Sequence, residues 1–194
     1  MKFVAKIFWV TALLWSTNPL IGQENKLFES LEDALTVHPD SVFRLDLSHS
    51  RLEEIPAELF RFRNLRELYL SKNKLSDLPA AQFKFEHLEV LDLSRNDFEI
   101  FPVGICNLSN LKQLLMGKNR LSALPECIGD LQKLEVLDVW FNTITELPES
   151  MTKMRKLKSV DMRGMNYSME FQQKLKDRLP WVKFEFNLGC DCGY

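Results

Sequence analysis

The sequence has few residues of the kinds that mark nucleic-acid-binding, metal-rich or disordered proteins. Its 25 Lys and Arg are outnumbered by 27 Asp and Glu, and the formal net charge at pH 7 is -2. No basic surface for nucleic acid is therefore expected. Histidine occurs 3 times, cysteine 4 times, glycine 7 times and proline 8 times. A composition that is 45% apolar and 27% charged indicates one folded domain with a hydrophobic core.

The apolar run near the N-terminus is too short to span a membrane. It covers the nine residues 7–15, whereas a membrane-spanning helix needs about 20. Lys2 and Lys6 precede it, and a polar stretch that ends in Gly22 follows it. Because this is the order of a secretory signal peptide, we predict that residues 1–22 are cleaved near Gly22 and that the protein is secreted or periplasmic. The alternative is a cytoplasmic protein that keeps these residues.

The rest of the chain repeats itself every 23 residues. Counted from Leu65, apolar residues recur at the first, fourth, sixth, eleventh and fourteenth places of each unit. The ninth place carries Asn73, Asn96, Asn119 and Asn142, and the fifteenth carries Pro56, Pro79, Pro102, Pro125 and Pro148. In the preceding unit, which begins at Val42, Ser50 takes the place of the asparagine. Five units in one register are too many for a chance pattern, and a sixth, irregular unit follows them.

This pattern resembles the leucine-rich repeat, and in particular its short 23-residue class with Leu-Pro. That class includes small secreted bacterial proteins and Ras-linked intracellular scaffolds. The resemblance implies an α/β solenoid, with a curved parallel sheet on the concave side and irregular or short helical segments on the convex side. It also implies a protein that binds a macromolecule, with a protein or peptide as the first expectation and a glycan as another. The alternative function is an intracellular signalling scaffold similar to the Ras-linked members.

Elementary geometry accounts for the spacing. Side chains alternate along a strand, so the fourth and sixth places of each unit face the same side. One unit cannot bury that side alone, whereas stacked units bury it against each other. The asparagines are expected in the turn that leaves each strand, where the side-chain amide can pair with buried backbone groups. The prolines favour short helical turns over long helices on the convex side.

Both ends of the repeat region carry signals for caps. Ser30 is expected to cap a helix that Pro39 ends, and Ser168 to cap a second helix that is followed by a closing strand at residues 181–186. The predicted divisions are a signal peptide (1–22), an N-terminal cap (23–41), leucine-rich repeats (42–166), a C-terminal cap (167–187) and a cysteine-containing tail (188–194).

We expect the binding surface on the concave face of the sheet. The third, fifth, seventh and eighth places of each unit project there, and apolar and aromatic residues gather on a face that should be polar. An acidic column at the fifth place runs beside a basic column at the eighth, and we interpret the two as balancing each other's charge. The predicted partner-binding residues are Tyr69, Val90, Asp92, Leu115, Val136, Asp138, Trp140 and Phe141. Alternatively, Trp140 folds back over the loop after Asn142.

No catalytic, metal or cofactor site is predicted. Asp46, Ser48 and His49 contain the residue types of a hydrolytic triad, but they belong to columns of the repeat and no triad geometry is implied. We therefore expect a protein that is not an enzyme and needs no cofactor and no metal.

The cysteines leave two questions open. Cys106 and Cys127 fall on the convex sides of adjacent units, where they are expected to lie close together, either as free thiols or as a disulfide. Cys190 and Cys192 lie in the polar tail, and the sequence does not determine whether they are oxidised.

Overall fold

A parallel sheet with the period of the sequence repeat organises the chain. The computed structural model describes residues 25–81 and 83–187, so the predicted signal peptide and the tail cysteines lie outside the described residues. Eight strands of the described chain form one parallel sheet in chain order. They are β1 (Leu27–Phe28), β2 (Arg44–Asp46), β3 (Glu67–Tyr69), β4 (Val90–Asp92), β5 (Gln113–Leu115), β6 (Val136–Asp138), β7 (Ser159–Asp161) and β8 (Lys183–Glu185).

The register of the sheet is the repeat itself. From β2 to β7, each strand residue lies beside the residue 23 positions later, as in Leu68 beside Leu91 and Leu91 beside Leu114. The predicted α/β solenoid is confirmed. Below, the concave face means the side of the sheet that carries the third- and fifth-place side chains, and the convex side means the return segments.

Short 3-10 helices run along the convex side, as predicted. In the described chain they are Pro39–Ser41, Ala57–Arg61, Val103–Asn107, Glu126–Asp130 and Glu149–Lys153. The last four begin directly after a fifteenth-place proline, where the fixed φ of proline suits the helix entry and its missing N–H is not needed. No such helix follows Pro79 among the described residues. There the Phe83 N–H donates to the Pro79 carbonyl at 2.9 Å.

The core lies between the sheet and the convex side. The fourth- and sixth-place side chains are buried in every unit, for example Leu91 and Leu93, which are both 0% exposed. From the convex side, Leu59 and Ile128 meet them and are equally buried. One continuous apolar core results, and it reaches from β1 to the C-terminal cap.

The ninth-place asparagines lie inside this core and bridge neighbouring units. The Nδ2 group of Asn119 donates to the carbonyl of Met116 at 2.9 Å and to that of Leu93, one unit earlier, at 3.0 Å. Its Oδ1 accepts the Phe98 N–H at 3.2 Å. The same three bonds are made by Asn73, Asn96 and Asn142. All four side chains are at least nine-tenths buried, so each satisfies backbone groups that water does not reach.

Both predicted cap helices are present. In α1 (Leu31–Leu35), the Ser30 hydroxyl accepts the Asp33 N–H at 3.0 Å. In α2 (Met169–Arg178), Ser168 accepts the Phe171 N–H at 3.1 Å. The closing strand is β8, which pairs with β7.

The N-terminal cap differs from the prediction in two respects. Pro39 does not end α1, because that helix stops at Leu35 and Pro39 begins a 3-10 helix of its own. The strand β1 was not predicted, since two residues are too few for an alternating pattern to show. It closes one edge of the sheet by pairing with β2.

A disulfide joins two units on the convex side. Cys106 and Cys127 are bonded, with their Cα atoms 5.7 Å apart, which answers one of the two questions that the sequence leaves open. Because Cys106 follows the third unit's proline and Cys127 the fourth's, the bond links adjacent 3-10 helices.

We expect Asn119→Ala to lower the free energy of unfolding by roughly 1–3 kcal/mol, the cost of leaving one buried group unpaired. The Phe98 N–H loses its partner, whereas the carbonyls of Leu93 and Met116 each keep a second asparagine donor. Urea unfolding followed by circular dichroism measures the loss. The matched control is Asn107→Ala at an exposed convex position. Equal stabilities of the two variants would contradict the bridging role of the asparagine.

Candidate functional site

The concave face presents two rows of side chains from six neighbouring strands. The third-place row is Arg44, Glu67, Val90, Gln113, Val136 and Ser159, and the fifth-place row is Asp46, Tyr69, Asp92, Leu115, Asp138 and Asp161. Every predicted strand residue of the binding surface therefore lies on this face. The strand register decides which of them are neighbours.

The predicted apolar residues do not form a continuous patch along the sheet. Gln113 stands between Val90 and Val136, and Leu115 stands beside Asp92. Each apolar side chain is thus flanked by a polar one in the next strand. Apolar and polar side chains therefore alternate across the middle of the concave face. Val90, Asp92, Leu115 and Val136 are half-buried, and Gln113 is exposed.

Tyr69 belongs to a polar network at the N-terminal end. Its hydroxyl donates to Glu67 Oε2 at 2.9 Å, and the same oxygen accepts from Arg44 Nε at 2.7 Å. Burial, and then Glu67, raises the pKa of the Tyr69 phenol. The guanidinium also donates to the carbonyl of Asn25 at 3.0 Å, so the network ties the first strands together.

The fifth-place aspartates have a local task. In Asp46, Asp92, Asp138 and Asp161, one carboxylate oxygen accepts the N–H two residues later at 2.8–3.1 Å. This is an Asx turn, which shapes the exit from the strand. The acidic column therefore has backbone partners within its own turns. The sequence pattern predicts only that this column balances the charge of the eighth-place cations.

The eighth place adopts a left-handed backbone in every unit. Positive φ angles of 50–61° are found at His49, Lys72, Arg95, Lys118 and Phe141, and φ is 84° at Gly164. Each of the five N–H groups before Gly164 donates to the seventh-place carbonyl of the next unit at 2.7–3.0 Å. The turn is thus fixed by hydrogen bonds between units, and the direction of the eighth-place side chain is fixed with it.

Trp140 and Phe141 lie together over two glycines. A Cβ atom added to Gly117 would lie 1.9 Å from the Trp140 ring, and one added to Gly164 would lie 2.2 Å from the Phe141 ring. The rings therefore fill the space that the missing side chains leave in the neighbouring units. Trp140 does not fold back over the loop after Asn142.

The two rings meet edge to face, with centroids 5.2 Å apart. The Nζ atom of Lys118 is 5.0 Å from the centroid of Trp140 and 5.5 Å from that of Phe141, and Arg95 Cζ is 5.7 Å from Trp140. Trp140 is half-buried, whereas 54% of Phe141 remains exposed. We call Arg95, Lys118, Trp140 and Phe141 the aromatic-cation cluster.

The sequence predicts the two rings of this cluster as contact residues, but it does not predict the glycines on which they pack. Gly117 and Gly164 stand at the seventh and eighth places, where several other units carry serine and lysine or arginine. A glycine 23 residues from an aromatic residue is the signal that could have found the packing.

Asp138 lies directly below the cluster in an acidic environment. Burial, with a smaller contribution from the negative charges of Asp161 and Asp92, raises the pKa of its carboxyl group to about 6. The Trp140 N–H and Arg163 oppose this rise. Arg163 is bound to Asp161, with Nη2 and Oδ2 2.5 Å apart.

The residues of the hypothetical hydrolytic triad have other partners. Ser48 Oγ accepts a hydrogen bond from Ser71 Oγ at 3.0 Å, and Asp46 accepts the Ser48 N–H. Across residues 25–81 and 83–187, no three His, Cys, Asp or Glu side chains are grouped as metal ligands. No helix in the same part of the chain has the length and hydrophobicity to cross a membrane.

We expect Asp138→Asn to be more stable than the wild type at pH 7.5, and to lose this advantage as the pH falls from about 6 towards 4. A folded-state pKa above the unfolded value means that ionisation of Asp138 costs stability as pH rises through 6. Urea midpoints across this range measure the effect, with Asp130→Asn at an exposed position as the control. A pH-independent difference would rule out the linkage.

Comparison with known families and structures places this geometry among repeat proteins. The sequence matches the family described as "Leucine-rich repeat region" over residues 81–176 and the family described as "Leucine rich repeat" over residues 40–97. A search of curated proteins gives no match.

The solved structures that resemble the chain include the following three proteins. A leucine-rich repeat protein of Leptospira interrogans is 25% identical with a TM-score of 0.60, over 77% of this chain and 44% of its own. Internalin C2 of Listeria monocytogenes is 18% identical with a TM-score of 0.65, over 81% of this chain and 66% of its own. This second likeness concerns the fold alone.

The third is the ectodomain of the plant membrane receptor kinase GASSHO1/SCHENGEN3 from Arabidopsis thaliana, in complex with CASPARIAN STRIP INTEGRITY FACTOR 2. It is 31% identical with a TM-score of 0.57, over 74% of this chain and 18% of its own. The chain thus spans less than two thirds of the length of each of these proteins. The 23-residue register of the sheet, the buried asparagine bridges and the two family matches agree, and the chain belongs to the leucine-rich repeat proteins.

Proposed function

We propose that this leucine-rich repeat chain is a non-catalytic, secreted or periplasmic binding protein that recognises a protein or peptide through its concave face. The leucine-rich repeat fold is a protein-interaction module, and its stacked units offer an extended surface for a partner. The aromatic-cation cluster is the observation that carries the proposal. It places an exposed aromatic ring among cations, beside a face on which apolar and polar side chains alternate.

The chemistry of the cluster suits a protein partner. Trp, Tyr and Arg are the side chains that most often dominate interface energetics, and Phe141 offers apolar area that a partner can cover. Lys118 and Arg95 add donors for carboxylate or carbonyl oxygens. Because Gly117 and Gly164 fix the rings, little side-chain freedom is lost on binding, which favours affinity.

The other predicted contact residues have different positions relative to the cluster. Asp138 lies beneath Trp140, and Leu115 is the neighbour of Asp138 in the adjacent strand. Val90, Asp92 and Val136 extend the surface along the same face. Tyr69 lies at the far end in its own polar network. We propose that a partner centred on the cluster contacts the nearer residues first.

The disulfide between Cys106 and Cys127 favours an oxidising compartment over the cytoplasm. It therefore supports the secreted or periplasmic proposal against the intracellular scaffold. The ectodomain of the plant receptor kinase, which was solved with CASPARIAN STRIP INTEGRITY FACTOR 2, gives a further reason to place a peptide or protein first among the partners.

A secreted or periplasmic protein and an intracellular scaffold are expected to differ in intact mass. We expect protein purified from its native cells without reductant to have lost residues 1–22, and to gain two hydrogens when the bond between Cys106 and Cys127 is reduced. Intact mass spectrometry measures both. A chain that keeps its first 22 residues and contains free thiols at these two positions would instead favour the scaffold.

We expect Trp140→Ala combined with Phe141→Ala to weaken partner capture at least about tenfold while the protein stays folded. Quantitative cross-linking pull-down from the native host, with thermal unfolding of each variant, measures both properties. The control is Met169→Ala, which removes a side chain that is 73% exposed on α2.

A second variant tests whether binding depends on the position of the Trp140 ring as well as on its presence. Gly117→Ala displaces the Trp140 ring without removing any aromatic group, and it should weaken capture in the same direction. If the double variant captures every partner as well as the wild type, the concave cluster is not the binding site.

A further inference from the structure

A second surface breaks the pattern of the repeat, and it lies away from the concave face. The thirteenth place of successive units carries Glu54, Asp77, Ile100, Ala123 and Glu146. Among these five units, Ile100 is the only large apolar residue in the column, and 80% of it is exposed. Val103, three residues later, is 58% exposed. Both side chains line the same groove, so they form one exposed apolar surface, and such surfaces often mark sites of contact.

These two side chains border a groove between the second and third units. The groove encloses about 750 Å³, and Pro79, Ala80 and Phe101 form part of its apolar lining. A smaller depression adjoins it on each side. One shares Asp77 and Pro79 with the groove, and the other shares Ile100 and Val103. Together they form a channel across the loops of four units, which we call the lateral groove.

The lateral groove passes through the part of the chain where the repeat is irregular. Among its described residues, the second unit lacks the 3-10 helix that follows the corresponding proline in the first, third, fourth and fifth units. The residue directly after its proline is the small Ala80. A Cβ atom at Gly104 would lie 3.1 Å from the Ala80 Cα atom, so the backbones of the two units approach closely below the groove. Small residues in this loop leave space that a partner's side chain can fill.

The rim of the lateral groove is acidic. Five carboxylates and one guanidinium line the groove and its two neighbouring depressions, within the described part of the chain: Glu53, Glu54, Asp77, Asp97, Glu99 and Arg120. Arg120 is already bound to Asp97 and Glu99, at 3.0 and 3.1 Å. Lys74 similarly binds Glu53 at 2.8 Å. The fixed charges of the groove are therefore complementary to a cationic partner.

We propose that the lateral groove binds a peptide segment in which aliphatic side chains alternate with lysine or arginine. The aliphatic side chains cover Ile100 and Val103, and the basic ones reach Glu54 and Asp77 on the rim. The site is separate from the aromatic-cation cluster and does not depend on it. A chain with both sites can hold two segments of one partner, or two partners, at once.

The test uses a fluorescent hexapeptide that alternates lysine and leucine, and measures its binding by fluorescence anisotropy. Ile100→Ser combined with Val103→Ser should weaken binding at least about tenfold, because it removes the apolar contact. Glu54→Gln combined with Asp77→Asn should also weaken binding and flatten its dependence on salt. All four side chains are exposed or at the surface, so the variants should unfold at the wild-type temperature.

Matched variants distinguish binding in the lateral groove from binding elsewhere on the protein. Trp140→Ala combined with Phe141→Ala should bind the hexapeptide like the wild type, and so should Met169→Ser and Glu170→Gln on α2. A peptide with glutamate in place of lysine should not bind. Wild-type binding by both groove variants, or equal binding of the glutamate peptide, would overturn the proposal. So would self-association that Ile100→Ser with Val103→Ser abolishes, because a second copy would then occupy the groove.

Discussion

The buried amide of the ninth-place asparagine is the interaction on which the stacking of units depends. After each strand the chain turns through the core. Some backbone N–H and C=O groups of this turn are buried and have no partner in a neighbouring strand. Asn119 pairs with three such groups, and two of them belong to the preceding unit. Units joined in this way cannot separate without exposing unpaired polar groups. The concave face and the lateral groove both rest on this continuous stack.

The ends of the stack show what replaces a neighbouring unit when the repeats stop. Ser50 and Met165 occupy the ninth place of the first and last units. At the C-terminal end, Asn187 Oδ1 accepts the Gly164 N–H at 2.8 Å. At the N-terminal end, β1 pairs with β2 and covers the first unit. The caps thus supply from outside the polar contacts that each inner unit receives from its neighbour.

The sequence predicts most of the fold because the fold repeats. Each column of leucines is seen several times, so period and register follow without knowledge of any contact. Features that occur once escape this reasoning. The strand β1 has two residues, the described segment after Pro79 lacks its helix, and the bond between Cys106 and Cys127 depends on the relative orientation of two convex segments. The predicted binding surface shows the same limit: its face follows from alternation, but the separation of Val90 from Val136 by Gln113 requires the register, and the packing of Trp140 on Gly117 requires side-chain positions.

The left-handed turn at the eighth place restricts which side chains can diversify along one border of the concave face. Valine, isoleucine and threonine are poorly tolerated at positive φ, so this border draws on a reduced set of amino acids. Lysine, arginine, histidine, phenylalanine and glycine occupy it here. The backbone also sets the direction of each side chain. Substitutions along this border can therefore change the length and charge of the side chain, but not the direction in which it leaves the backbone.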